Sequence, residues 1–220
     1  MKLPNKVDTI IFDAGGVLFY INEYRNDIMR RVMLSLGYEE SAVDRAIATG
    51  KDFDTYYFNR GNALRTWKDE KKWLTLRSDV IAKALDDDNE DLPDRLKYTA
   101  FDTHQYKLFN ETVEILERLK ASYKLSVISN ATASLDWAFD HLDIRKYFDE
   151  VVISAYEECE KPEALIYERT LEKLGCSAKR CVFVDDCLEN VNAAVAIGMS
   201  GYHLQRDDGM TLYHFEDMLK

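Results

Sequence analysis

Four short apolar runs, each ending abruptly on acidic or small polar residues, constrain this chain more than any other feature. Val7–Phe12 stops at Asp13, with Gly15 and Gly16 just beyond. Leu125–Ile128 stops at Ser129-Asn130, Val151–Ile153 at Ser154, and Cys181–Val184 at Asp185-Asp186. Short runs of this kind, rich in β-branched residues and bounded by turn formers, predict buried parallel strands. Gly201–Leu204 is a weaker fifth candidate. Helical patterns separate the runs: Glu111–Ala121, with Val113, Leu116 and Lys120 on one side and Ile115 and Leu119 adjoining; Glu163–Leu174; and Leu188–Ile197. Gly175 and Gly198 are their stop signals. Strands alternating with helices imply an α/β fold in three layers, a mostly parallel sheet with helices on both faces. Ligands of such sheets bind at the carboxyl ends of the strands. Asp13, Ser129, Asp185 and Asp186 are therefore expected to gather there.

From about Tyr20 to Tyr106 the alternation fails. Helical periodicity remains (Ile28, Val32, Leu36; then Trp73, Leu76, Val80, Leu85), and no convincing strand. The acidic run Asp86–Asp94 reads as a solvated helix–helix loop, and its spacing matches no EF-hand. The expected organisation is a core of residues 1–19 and 107–220 interrupted by a helical insert, 20–106. Tyr56, Tyr57, Phe58, Arg60 and Trp67 are candidate cleft contacts of the insert, although aromatics at this density more often form a core. Asn22 and Tyr24 are weaker candidates.

A net charge of −11 argues against nucleic-acid binding, which needs clustered Lys and Arg. No apolar run is long enough to span a bilayer, and Met1–Asp8 is too short and polar for a secretory segment. Cys159, Cys176, Cys181 and Cys187 lack the paired spacing of a zinc site and are expected as reduced thiols in a cytoplasmic protein. Cys181 reads as a core strand position.

Taken singly, the polar residues have plain readings. Asp13 could be a turn residue, Asp185-Asp186 could cap the helix near Leu188, Ser129 could be an N-cap, and Lys161 before Pro162 could be an exposed lysine. Asn190 reads equally as helix surface or as support facing the site. Taken in order, they resemble a known family. IIFDAGGVLF (Ile10–Phe19) resembles the first motif of the haloacid-dehalogenase superfamily, Ser129 closing LSVISN its second, Lys161 in ECEKPEALIYE its third, and CVFVDDCLENVNAAVAIGM (Cys181–Met199) its fourth.

The resemblance implies a Rossmann-like core whose Asp13 strand lies between the Ser129 and Asp185 strands, and a helical cap inserted after the first strand. It implies Asp13 as nucleophile, forming an aspartyl-phosphate, with Lys161 neutralising charge. Mg²⁺ would be held by Asp13, the Gly15 carbonyl and Asp185, with Asp186 through water or as an alternative ligand. Ser129 and the amides beside Asn130 would hold phosphate oxygens. The partner implied is a small phosphorylated metabolite, with neither nucleic acid nor membrane. A carboxylate nucleophile beside a hard cation suits phosphoryl transfer, because the attacking group and the phosphate are both negative.

One position departs from the family. Most of its phosphatases carry a second aspartate two residues after the nucleophile as general acid and base, and here that position is Gly15. A branch with a DxGxV first motif, including sugar-1-phosphatase-like proteins and the epoxide-hydrolase amino-terminal domain, is similar in part. FNRGNAL (Phe58–Leu64) resembles a segment in caps of that branch, so the expected substrate is a sugar phosphate or another small ester. Two alternatives stay open: a metal-independent 2-haloacid dehalogenase, and a catalytically weak binding or regulatory member.

Overall fold

The computed structural model describes residues 7–86 and 88–219. Most of the Met1–Asp8 segment and Asp87 of the acidic run lie outside the described residues. Each expected run forms a strand: β1 (Thr9–Phe12), followed after two further strands by β4 (Lys124–Ser129), β5 (Glu150–Ile153), β6 (Cys181–Asp185) and β7 (Ser200–His203). These five form one sheet in the order β5-β4-β1-β6-β7, with every neighbouring pair parallel. β1 thus lies between β4 and β6, as the family resemblance implies. The two further strands, β2 (Phe19–Ile21) and β3 (Tyr106–Leu108), pair with each other where the chain leaves the core and returns. Runs of three residues carry too little alternation to be visible in sequence.

The described residues divide into two compact units. The first holds the chain up to Tyr20, Lys107–Ala131, and Ala138 onward. In it, α5 (Thr112–Lys120) follows β3, and α6 (Leu135–His141), which begins in the second unit, follows β4. The short α7 (Ser154–Glu157) and α8 (Ala164–Leu174) follow β5; α9 (Leu188–Ala196) follows β6 and α10 (Leu212–Leu219) follows β7. Side chains alternate along a strand, so each strand serves two layers. Ile11, Ile128, Val152 and Phe183 pack with Tyr167 of α8 and Ala194 of α9. Phe12, one step along, points the other way and meets Phe215 of α10 edge-on at 6.0 Å. Gly175, at φ +60°, ends α8 in the left-handed conformation that glycine adopts without a steric penalty.

The second unit is helical: α1 (Arg25–Ser35), α2 (Glu40–Asn59), α3 (Trp67–Leu85) and α4 (Leu92–Tyr98), with residues 132–137 clustered onto it. That last stretch was expected in the core. Its position follows from Glu70 of α3, fully buried, whose carboxylate accepts from Thr132 Oγ1, from the Ser134 amide and from Ser134 Oγ, each at 2.8 Å. The long α2 has no counterpart among the sequence patterns. Two helix faces also differ from expectation. In α3 the buried side is Trp73, Leu74, Arg77 and Ile81, while Leu76 is exposed. In α5 it is Ile115, Leu116 and Leu119, while Val113 is exposed. Of the aromatic candidates, Tyr57 is buried with Trp73 and Leu74, whereas Tyr56, Phe58 and Trp67 are exposed. The described part of the acidic run is the α3–α4 connection and the start of α4.

Candidate active site

Register brings the acidic residues together. In the parallel pair of β1 with β6, Phe12 lies opposite Val184, and the Asp13 amide continues the ladder by donating to the Val184 carbonyl at 2.8 Å. Asp13 and Asp185 therefore leave adjacent strands at the same level. Ser129, buried, is the last residue of β4 on the other side of β1. Lys161 reaches in from the segment before α8, and it is not the exposed lysine that its sequence context suggests. Its ammonium is 2.8 Å from Asp13 Oδ1 and 2.7 Å from Asp185 Oδ2, with 2% of its side chain exposed.

Each carboxylate is seated by donors. Asp13 Oδ1 also accepts the Ala14 amide at 2.7 Å. Asp185, fully buried, accepts the Cys187 amide at 2.7 Å on Oδ1 and Asn190 Nδ2 at 3.1 Å on Oδ2. This contact resolves Asn190 as support for the site. Burial is the largest influence on Asp13 and, with Asp185 beside it, lifts its pKa to about 6 against the opposing pull of Lys161. Asp186 is raised too, by burial first and Asp185 second. Burial pulls Lys161 down, but the two carboxylates outweigh it and hold its pKa above the ordinary value.

Ligand atoms of Asp13, Asp185 and Asp186 all lie within 4.8 Å of one another. Against these three carboxylates, Asp185 buried, Asp13 partly buried and Asp186 exposed, Lys161 supplies one positive charge, so the ionised cluster keeps a net charge of about −2, a costly arrangement without a counter-ion where it is buried. An oxygen-only donor set with that charge fits a hard divalent cation.

Asn130 holds the site together through its side chain. Its Nδ2 donates to the Lys161 carbonyl and its Oδ1 accepts the Lys161 amide, both at 2.8 Å. Of the amides beside it, that of Ala131 already donates to Ser154 Oγ at 3.1 Å. Sequence reasoning had no signal for these ties, which join residues about thirty positions apart.

The neighbouring glycines differ. Gly16 has φ +76°, and a Cβ there would lie 2.1 Å from Asp186 Oδ2. Gly15 has no such constraint, since a Cβ built on it meets nothing within 4 Å. The side chain absent at position 15 is thus not excluded by space.

A stretch of 57 residues is 49% identical to the sesquiterpene phosphatase astK of Aspergillus oryzae, covering 26% of this chain and 29% of that protein. Another of 93 residues is 36% identical to the glyceraldehyde 3-phosphate phosphatase of Methanothermobacter thermautotrophicus, covering 41% of each. This chain therefore matches less than half the length of either relative. Among solved structures, a HAD phosphatase from Thermococcus onnurineus superposes with TM-score 0.64 at 21% identity, over 97% of this chain and 98% of that one. The L-2-haloacid dehalogenase of Xanthobacter autotrophicus gives 0.57 at 18%, over 91% and 78%. At these identities the structures testify to the fold alone. The model of the haloacid dehalogenase-like hydrolases matches residues 7–198, nearly the whole chain, and the protein belongs to that family.

Proposed function

We propose that this protein is a magnesium-dependent phosphatase acting on a small phosphorylated metabolite through an aspartyl-phosphate on Asp13. The observation that carries the reading is the convergence of Asp13, Asp185 and Asp186 at the ends of two adjacent strands, with the Lys161 ammonium bridging Asp13 and Asp185. Mg²⁺ would be held by Asp13, Asp185 and the Gly15 carbonyl, with Asp186 direct or through water. It would supply positive charge to the phosphoryl oxygens as charge shifts in the transition state.

The chain's own residues do the rest. Asp13 Oδ1 is engaged by Lys161 and the Ala14 amide, leaving Oδ2 to attack phosphorus. As that bond forms, the ester P–O bond breaks and the leaving oxygen departs with the bonding electrons. Water then attacks the aspartyl-phosphate, releasing inorganic phosphate and restoring the carboxylate. Ser129 binds the transferred group, and Lys161, fixed by Asn130, offsets its charge. With Gly15 in place of a general acid, the leaving group must be one that needs little protonation or takes its proton from water. That favours anomeric sugar phosphates over alkyl phosphates. By its place in the chain, after the first strand, the helical unit corresponds to the cap that the family resemblance implies. The phosphatase names of the two sequence relatives support the reading.

The test is a panel of phosphate esters and 2-haloacids with and without Mg²⁺. Magnesium-dependent phosphate release, lost in Asp13→Asn, is expected. Metal-independent halide release would overturn the proposal in favour of a dehalogenase.

A further inference from the structure

Arg206, in the 3-10 turn Arg206–Asp208 that follows β7, reaches across 190 positions of sequence to the loop after the proposed nucleophile. Its Nε donates to the Gly16 carbonyl at 2.7 Å and its Nη2 to the Val17 carbonyl at 2.5 Å. Its Nη1 donates to Glu111 Oε1 at 2.9 Å. The guanidinium lies over the Phe109 ring, with Cζ 3.4 Å from the ring centroid. Only 15% of the Arg206 side chain and 8% of that of Glu111 are exposed. Glu111 is anchored in turn, accepting the amide of Leu212, the first residue of α10, at 3.2 Å.

This is no loose surface pair. All three guanidinium nitrogens are engaged, two on backbone carbonyls and one on a buried carboxylate, a fork that an ammonium group has no means of reproducing. Inside the loop, the Gly16 amide donates to Phe19 and the Leu18 amide to Ala14. The carbonyls of Gly16 and Val17 go to Arg206. The Gly15 carbonyl, a proposed cation ligand, lies one peptide before the first of these, and Gly16 itself packs against Asp186.

We propose that Arg206, seated by Glu111 and Phe109, is a positioning residue that fixes the Asp13–Val17 loop and through it the cation site. Its nitrogens are committed to Gly16, Val17 and Glu111, so it acts through the loop. The magnesium and activity arms of the test rest on the phosphatase reading, while the loop arm does not.

The experiment uses the full chain as wild type, Arg206→Lys, Arg206→Met and Glu111→Gln, with Val152→Ala, in β5 at the far edge of the sheet, as a control that loosens the core without touching the fork. Three quantities are read: magnesium affinity of the metal-free protein by calorimetry, amide hydrogen exchange of residues 14–19, and phosphate release. Outer contacts that orient metal ligands are typically worth about 10- to 100-fold in affinity. Both Arg206 variants are therefore expected to weaken Mg²⁺ binding about tenfold or more, and to speed exchange in the loop. Lysine gives no rescue, and Glu111→Gln, which keeps an acceptor, falls between. Unchanged affinity and exchange in a folded Arg206 variant would overturn the proposal. So would Val152→Ala reproducing the same changes at equal loss of Tm, which would mark Arg206 as generally structural. If wild type binds no Mg²⁺, the metal reading fails, and loop exchange alone decides the clamp.

Discussion

Gly15 and Gly16 stand side by side under different constraints. Position 16 requires glycine twice over, through its positive φ and through the closeness of Asp186. Position 15 has open space and an ordinary backbone. The missing general acid is therefore a chemical choice that one substitution should reverse. We expect Gly15→Asp to raise turnover on alkyl phosphates by roughly 10-fold or more, since positioned acid–base catalysis is worth ~100- to 10,000-fold when optimally placed. The gain on esters with good leaving groups should be small. A panel of leaving groups of graded pKa checks this, and an equal effect across the panel would remove the leaving-group argument. Asp13 and Asp185 were legible because each ends an apolar run. The fork of Arg206 was not, because two of its partners are backbone carbonyls and the third, Glu111, lies 95 positions away, and neither leaves a sequence signature.

At the scale of the element, α3 shows how a helix is marked in sequence at its start and settled by packing along its length. Thr66 accepts the Asp69 amide, and Asp69 accepts the Thr66 amide in return, a reciprocal cap at spacing i, i+3. The buried face of α3 is another matter. It includes Glu70 and Arg77, so apolar periodicity alone points to the wrong residues. Arg77 is held by Asp54 at 2.9 Å and Asn26 at 2.7 Å, and Glu70 by Thr132 and Ser134. Removing one partner of a buried, hydrogen-bonded charge leaves the others unsatisfied. Glu70→Ala should therefore cost about 3 kcal/mol in denaturant unfolding. Glu70→Gln, which keeps one acceptor oxygen, should cost less. A cost within about 0.5 kcal/mol, the range of ordinary surface substitutions, would show that Glu70 does not hold residues 132–137.

For the molecule as a whole, the buried acidic cluster links stability to pH and to the cation. Asp13 has a folded pKa near 6 against an unfolded value near 3.8. Its contribution to stability is thus fully present below about pH 3.8 and is lost as pH rises through about 6. In metal-free protein, wild type should lose stability relative to Asp13→Asn between about pH 3.8 and about pH 6, by a few kcal/mol at most, because a tenfold change in proton affinity between the folded and unfolded chain is worth ~1.4 kcal/mol. Added Mg²⁺ should raise the Tm of wild type at pH 7 and leave Asp13→Asn nearly unmoved. Parallel pH profiles for the two proteins would show that Asp13 ionises without penalty. The sequence by itself determined the parallel α/β core, its five strands and the carboxylates and serine of the candidate site, whereas Lys161 came only through the family resemblance and reads locally as exposed. Those signals are local: an apolar run, the residue that ends it, and a helical repeat. Tertiary structure decided which helix faces are buried, that residues 132–137 leave the core unit, and that Asn130, Asn190 and Arg206 hold the site in place. These depend on which distant segments meet, and a hydrogen bond between residues far apart in the chain leaves no pattern in the order of amino acids.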